Sequence, residues 1–224
     1  MGDENTEEVS RNDFLHDNKV EQVFAKLDYA LRSGIHIQRD YPKPGELFRF
    51  LERNFDSLKL YYYELFQIIL SKQGNDFKHY YFIDFEEGNR GAIPTSSRDY
   101  LDTEVIIIGM LFFKLYQIDG NIELDTVDDF ISTLISEYDD EKEALFKLIS
   151  NSRSGKSTDF NDEKVIALIK KAFDTFNHLG WIEWEDNQIK NRFKPLPSFE
   201  RLRILYQSQI NNIDQLLAQN ENAK

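Results

Sequence analysis

The chain has 224 residues, of which 41% are hydrophobic and 14% aromatic, so it has enough apolar side chains for one large core or two small ones. Its net charge of -13 argues against a protein that coats nucleic acid with its whole surface, because a polyanion repels such a chain except at a local basic patch. Cysteine is absent, which excludes disulfides, thiolate catalysis and cysteine-ligated zinc.

The charge is distributed unevenly along the chain. Residues 147–203 contain 11 Lys and Arg against 8 Asp and Glu, whereas the remaining residues contain 16 against 32. We therefore expect any contact with DNA to lie in the second half. The sequence shows no secretory signal, and its most apolar run, residues 105–113, is too short to span a bilayer. These features predict a soluble cytoplasmic protein.

The sequence of the first half predicts an acidic N-terminal segment, the acidic lead, followed by a small domain. Residues 1–17 are rich in carboxylates and show no hydrophobic periodicity, which predicts disorder. The next patterns predict helices over 20–32, 45–54 and 58–66, and strands over 35–37, 67–71 and 79–85. This order of helix, strand, two helices and hairpin is that of a winged helix, so we predict a first winged-helix domain over residues 18–90.

The second half repeats this architecture without visible sequence identity. Turn-forming residues at 88–97 mark the predicted domain boundary. Beyond them the patterns predict a buried helix over 99–116, a short strand over 121–124, helices over 125–136 and 139–149, and a polar loop over 150–159. We predict a second winged-helix domain over 98–195 and a C-terminal helical segment over 196–224. The fold class is therefore mainly α with small β hairpins, built from tandem winged-helix domains plus a C-terminal helix.

The stretch from 159 to 194 predicts the recognition helix and wing of the second domain. Apolar residues recur with helical spacing from Val165 to Leu179, and strands at 181–185 and 188–193 follow Gly180. Cations project from the helix and the wing, the two surfaces that a winged helix applies to a duplex, which predicts sequence-independent phosphate contact. Ordinary solvated lysines are the alternative. With a basic loop before the helix, the predicted DNA-binding residues are Arg153, Lys156, Lys164, Lys170, Lys171, Lys190, Arg192 and Lys194.

A cluster of aromatic residues distinguishes the first domain. The strand at 80–85 carries large apolar side chains on both faces, and three consecutive tyrosines lie shortly before it. Aromatic residues are favoured at the centres of protein interfaces, so this composition favours a protein contact, with packing on the 99–116 helix as an equal alternative. The predicted interface residues are Tyr61, Tyr62, Tyr63, Tyr80, Tyr81 and Phe82.

No arrangement of residues indicates catalysis. The GKST run at 155–158 is not a phosphate-binding P-loop, because Ser150 stands where the first glycine is required and a helical pattern precedes it. The four histidines share no metal-ligand spacing, and the acidic residues from 119 to 143 indicate a solvated surface rather than an acid–base pair. We therefore predict no enzyme activity, no metal and no cofactor, and find nothing that favours a hydrolase or nuclease.

Three stretches carry a resemblance to a known family. They are LRSGIHI at 31–37; YYFIDF at 80–85 with Ile93-Pro94 and the hydrophobic helix after it; and the SRSG loop and long helix ending in HLG within 148–182. In order and spacing they resemble the MukE and MksE family, the tandem winged-helix subunits of bacterial condensins. The resemblance covers roughly residues 20–195.

The resemblance implies a non-catalytic homodimer that binds a kleisin of the MukF or MksF kind and, through it, joins a MukB- or MksB-like SMC ATPase. Together with the cations described above, which predict non-sequence-specific contacts to double-stranded DNA, it leads us to expect a cytoplasmic, nucleoid-associated protein. Its task would be chromosome condensation and segregation, or defence against plasmids. The alternative is a dimeric winged-helix transcription regulator that reads an operator directly. The acidic charge and the lack of base-reading residues on the predicted recognition helix count against that alternative.

Overall fold

The computed structural model describes residues 9–86, 91–92, 94, 100–121, 123–137 and 162–212. The chain divides into two compact units, Met1–Asp99 and Tyr100–Lys224. The first unit contains helix α1 (Val20–Arg32), strand β1 (Ile37–Gln38), helices α2 (Glu46–Arg53) and α3 (Phe55–Phe66), and strands β2 (Ile69–Gln73) and β3 (Tyr80–Asp84). The second contains helices α4 (Thr103–Phe113), α5 (Val127–Glu137) and α6 (Asp162–Leu179), strands β4 (Ile182–Trp184) and β5 (Phe193–Pro195), and helix α7 (Glu200–Asn211).

The predicted fold class, mainly helical with small antiparallel hairpins, is confirmed. The described elements of the first unit follow the predicted order of helix, strand, two helices and hairpin. Within the parts of the chain that the structure describes, we find no helix with the length and apolar character needed to cross a membrane. The predicted helix at 139–149 and the polar loop at 150–159 lie outside the described residues.

The first unit is built on a three-stranded antiparallel sheet in which β3 is central. Strand β1 pairs with one edge of β3, with Ile37 opposite Tyr81, and β2 pairs with the other edge. Tyr81 belongs to the core that the helices form, where its ring contacts Phe48 and Phe55. Tyr80, Tyr81 and Phe82 of β3 are each at most 3% exposed, so these aromatic side chains are structural members of the unit.

Residues 9–17, the described part of the predicted disordered lead, are folded. A 3-10 turn, Asp13–His16, places Phe14 in the core at 1% exposure, where its ring contacts Phe24 and Tyr61. The Phe14 amide donates a hydrogen bond to Ser57 Oγ at 3.0 Å. The prediction of disorder is wrong for this segment, because burial of one large aromatic side chain outweighs the acidic composition around it.

Asp17 fixes the end of this segment to the junction of α2 and α3. Its carboxylate accepts hydrogen bonds from Arg53 Nη2 at 2.9 Å and Asn54 Nδ2 at 2.9 Å, and the Lys19 amide donates to it at 2.8 Å. Burial alone would raise the pKa of Asp17, but these hydrogen bonds to Asn54, Lys19 and Arg53 together outweigh burial and lower it. The folded state therefore favours the charged carboxylate.

The second unit is organised around α4, which is buried on nearly every side. The ring of Phe112 on this helix contacts Phe130 of α5, Phe173 of α6 and Phe193 of β5, with centroid distances of 5.6, 5.1 and 5.3 Å. It also contacts Phe199, directly before α7, at 5.0 Å. Helices α4, α5 and α6, strand β5 and the segment directly before α7 thus meet at one aromatic residue.

Gly109 allows α6 and α7 to approach α4 closely. A Cβ atom at this position would lie 3.0 Å from Leu202 Cδ2 and 3.2 Å from Phe176 Cζ, which is tighter than ordinary van der Waals contact. The glycine costs helix propensity, about 1 kcal/mol relative to alanine, and the close packing offsets that cost.

The predicted strand at 121–124 is not present among the described residues of that segment. The Leu124 amide instead donates to the Asn121 carbonyl at 3.0 Å, which makes a turn. We call β4, β5 and the loop between them the second hairpin. Thr126 pairs with this hairpin through an isolated antiparallel bridge to Arg192. Thr126 Oγ1 also accepts the Asp129 amide at 3.0 Å, so Thr126 is the cap of α5.

The second hairpin has a longer loop than the sequence predicted. The carboxylate of Asp186 accepts the amides of Gln188 at 2.7 Å and Ile189 at 3.2 Å, and Lys190 has a φ of 50°. The amides of Gln188 and Ile189 are therefore bonded within the turn, so they do not form hydrogen bonds to β4 as the predicted strand at 188–193 would require. Strand β5 consequently begins at Phe193.

We expect Asp17→Asn to lower the free energy of unfolding by about 1–3 kcal/mol at neutral pH, because it removes charged hydrogen bonds at a mostly buried site. Since the folded-state pKa is lowered, this contribution is present above about pH 4 and is lost as the pH falls through the folded pKa. Urea unfolding between neutral and acid pH measures it. The exposed Asp40→Asn is the control, and equal losses in both variants would contradict the role of Asp17.

We expect Gly109→Val to destabilise the second unit by about 1–3 kcal/mol, because the added side chain collides with Leu202 and Phe176. Thermal and urea unfolding measure the loss. Ala25→Val, at an exposed position of α1, controls for the helix propensity of valine and should cost much less. Equal effects of the two changes would argue against tight packing at Gly109.

Candidate nucleic-acid interface

Helix α6 has one apolar face and one polar face, and the apolar face fixes which residues are exposed. Val165, Ile169, Ala172 and Phe176 are buried in the second-unit core. The opposite face forms an open depression on the surface. It is lined by Ala167, Lys170, Lys171, Asp174, Thr175 and His178.

Two of the predicted DNA-binding lysines are engaged in ion pairs on this face. Lys171 Nζ lies 2.6 Å from Asp102 Oδ2, directly before α4. Lys190 Nζ, from the loop of the second hairpin, lies 2.9 Å from Asp174 Oδ1. The second pair joins the hairpin loop to α6. Because all four side chains are about half exposed, each pair contributes only about 0–1 kcal/mol to stability.

The other two cations of the hairpin, Arg192 and Lys194, differ in their neighbouring carboxylates. Arg192 Nη1 lies 2.9 Å from Asp125 Oδ2, and Arg192 Nε lies 4.0 Å from Glu185 Oε2. Lys194 is exposed and stands opposite Glu183 in the β4–β5 register. Lys190 and Arg192 therefore reach different elements, α6 and the segment before α5.

The electrostatics of this surface are close to neutral. Residues 162–195 contain six Lys and Arg and six Asp and Glu, so the +3 of the longer segment 147–203 does not come from α6 and the hairpin. Lys164 and Lys170 are exposed on α6, and Lys170 has no carboxylate partner among the described residues. Arg153 and Lys156 lie outside the described residues. A phosphate would therefore have to compete with a carboxylate for Lys171, Lys190 and Arg192.

The predicted interface tyrosines are largely buried. Tyr62, Tyr80, Tyr81 and Phe82 are each at most 3% exposed, whereas Tyr63 is 52% exposed. As the fold stands, the four buried rings are not surfaces for a partner, which corrects the expectation drawn from their composition. Tyr61 is half-buried, with ring contacts to Phe14, Phe24, Tyr62 and Phe66.

The buried hydroxyls of two tyrosines are held in their neutral form. Burial and the nearby Asp28 carboxylate raise the pKa of Tyr62 far above its ordinary range, and its hydroxyl donates to Asp28 Oδ1 at 3.0 Å. Burial, with the charges of Glu52 and Asp56, raises the pKa of Tyr81 to about 12. Both rings therefore remain uncharged at physiological pH and act as packing groups.

Sequence reasoning missed Asn191, which positions the second hairpin. Its Oδ1 accepts the Asp128 amide at 3.1 Å, its Nδ2 donates to Asp128 Oδ2 at 3.0 Å, and its carbonyl accepts the Val127 amide at 2.9 Å. The sequence signals the cap at the start of α5 but not the distant asparagine that completes it. In the described parts of the chain, no three His, Asp or Glu side chains are grouped so as to hold a metal ion.

Comparison with known protein families matches residues 22–204 to the family described as condensin complex protein MksE. The matched range contains every predicted DNA-binding residue and all six predicted interface residues. A comparison with curated proteins finds no match to this chain.

We expect replacement of three carboxylates, Asp102→Asn, Asp125→Asn and Asp174→Asn together, to strengthen binding of mixed-sequence duplex DNA. If the freed cations each neutralise one phosphate, the slope of log affinity against log salt steepens by up to about 0.9 per cation. Fluorescence anisotropy between about 50 and 200 mM salt measures this slope.

The matched control removes three exposed carboxylates that have no cation partner among the described residues, Glu21→Gln, Asp56→Asn and Glu123→Gln. It changes the net charge equally but frees no cation. The same increase in slope for both triple variants would show that only overall charge matters and that the α6 and hairpin cations do not contact DNA.

Proposed function

The chain belongs to the MksE family of condensin complex proteins, and from that membership we propose that it is a non-catalytic accessory subunit of an SMC and kleisin complex. The observation that carries this proposal is the family match over residues 22–204, which spans elements of both units. Family membership implies partners within an SMC-type complex. We propose that these are a MukF- or MksF-like kleisin, a MukB- or MksB-like SMC ATPase and a second copy of this chain.

Its proposed task is chromosome condensation and segregation, or defence against plasmids, at the nucleoid in the cytoplasm. The ATPase chemistry then belongs to the SMC partner, and this subunit contributes binding surfaces. We propose that both units are winged-helix domains, which the order of helix, strand, two helices and hairpin in the first unit supports.

The proposed DNA contact of the second unit is weak and independent of sequence. Its candidate cations within the described residues are Lys164, Lys170, Lys171, Lys190, Arg192 and Lys194, and three of them share their charge with a carboxylate. A weak contact becomes useful within an assembly, because other subunits hold the surface near the duplex and raise its effective concentration. The exposed cations of α6 are lysines, which suit phosphate contact better than the reading of base edges.

The proposed protein contact centres on Tyr63 of α3. Of the six aromatic residues predicted for the interface, it is the one with an exposed side chain, at 52%, and the exposed Leu65 lies two residues away. Large amphipathic rings of this kind supply much of the binding free energy of protein interfaces. The buried rings of Tyr62 and Tyr81 hold α3 and the sheet in position beneath it.

The experiment is co-expression with a MukF- or MksF-like kleisin and a MukB- or MksB-like SMC ATPase, followed by size-exclusion chromatography with light scattering. We expect a homodimer that binds the kleisin. We further expect Tyr63→Ala to weaken kleisin binding about tenfold or more, because loss of a central interface aromatic costs about 1–2 kcal/mol or more.

Tyr29→Ala is the matched control, since Tyr29 is an equally large side chain exposed at 75% on α1. Equal effects of the two variants would contradict the Tyr63 contact while leaving the assembly intact. A monomer that binds neither partner, or that binds one operator-like DNA sequence tightly, would contradict the proposed function itself.

A further inference from the structure

The first unit carries exposed cations that neighbouring carboxylates do not neutralise. Arg39 follows β1, Arg49 lies on α2, Lys72 lies on β2, and Lys78 directly precedes His79 and β3. None of the four has a carboxylate partner among the residues that the structure describes. We call these four residues, together with Phe77, the basic rim.

Arg39 is held by aromatic rings rather than by acidic groups. Its guanidinium lies 5.1 Å from the ring centroid of Phe77 and 5.7 Å from that of Phe48. Cation–π contacts of this kind fix the guanidinium without using its N–H groups, and those groups have no hydrogen-bond acceptor among the described residues. Arg39 is therefore positioned to donate hydrogen bonds to an incoming anion.

Phe77 makes the rim distinct from an ordinary solvated surface. Its ring is 78% exposed in the loop of the β2–β3 hairpin, and the Arg39 guanidinium covers part of it. Asp76, immediately before it, has a φ of 47°, and Gly74 has a φ of 88°, so the loop turns sharply before it presents the ring. A projecting hairpin tip that carries a large apolar ring is suited to contact with a groove.

Arg39 and Lys72 are both placed by aromatic rings of the first-unit core. The Arg39 guanidinium lies 5.7 Å from the ring centroid of Phe48, and Lys72 Nζ lies 5.5 Å from that of Tyr81. Arg39 follows β1 and Lys72 lies on β2, the two strands that flank the central strand β3. The rim therefore has one such cation on each side of β3.

The rim cations also differ from those of α6 and the second hairpin in their pairing. Glu52 and Asp56 lie near enough to raise the pKa of Tyr81, but neither pairs with a rim cation in the part of the chain that the structure describes. In the second unit Lys171, Lys190 and Arg192 are paired with carboxylates. Cations without such partners gain more from phosphates, because no existing ion pair has to be broken.

We propose that the basic rim of the first unit is a DNA-binding surface that contacts the phosphates of double-stranded DNA without reading its sequence. Arg39 and Lys72 each contact a phosphate, Arg49 and Lys78 extend the contact, and Phe77 packs against sugar atoms. The cations are spread across a projecting hairpin and the elements beside it, which suits a regular polyanion better than a peptide with a defined sequence. This surface is independent of the contacts proposed for the second unit.

The test is DNA affinity of the full chain with Arg39→Gln and Lys72→Gln together, measured by fluorescence anisotropy with a mixed-sequence duplex. Loss of two phosphate contacts should flatten the salt slope by about 1.8, so wild-type affinity should fall about tenfold more than variant affinity between about 50 and 200 mM salt. The control is Lys19→Gln and Lys26→Gln, two exposed lysines at and after the start of α1, with the same change in charge and an expected unchanged slope.

Phe77→Ala should weaken binding severalfold without changing the slope, because it removes an apolar contact and no charge. An unchanged slope in the Arg39 and Lys72 variant would overturn the proposal. If that variant bound DNA normally but lost the kleisin, the rim would be a protein interface, and the proposal would again be wrong. Neither result would show that the chain is not a subunit of the assembly. The proposed function is therefore tested separately, by co-expression with the kleisin and the SMC ATPase.

Discussion

Each unit depends on bringing large aromatic side chains from distant parts of the chain into one core. In the second unit Phe112 on α4 is the meeting point, since α5, α6, β5 and the segment before α7 each contribute a ring to it. In the first unit Phe14 is drawn in from an acidic segment to pack against α1 and α3. Burial of these rings sets the positions of the helices, and thereby decides which side chains remain on the surface.

The surface that results differs between the units in its electrostatics. The carboxylates of Asp102, Asp125 and Asp174 lie beside the cations of α6 and the second hairpin, which leaves that surface nearly neutral. Arg39 in the first unit is held instead by Phe48 and Phe77. Ion pairs and cation–π contacts both fix a cation in place, but only the second leaves its charge available to a phosphate. A chain with a net charge of -13 can thus offer DNA a small surface with exposed positive charge.

If the two surfaces contact DNA as proposed, weak binding by each is sufficient within an assembly, because several weak surfaces acting together give stable attachment. Tyr62, whose hydroxyl is bonded to Asp28, and the buried Tyr81 give the first unit a rigid frame. That frame keeps Tyr63 and the basic rim in fixed positions.

The sequence by itself determined the features that depend on local periodicity. The apolar spacing from Val165 to Leu179 predicted α6, and three motifs identified the family that the comparison confirmed. Only the tertiary structure decided which charges are paired and which aromatic rings are buried. Lys171 and Asp102 are 69 positions apart, and Phe14 and Ser57 are 43 apart, so no local pattern reveals that they meet. Composition gives the number of charged residues along the chain. Binding depends on which side chains lie beside each charged group in space, and only the packing of the folded chain decides that.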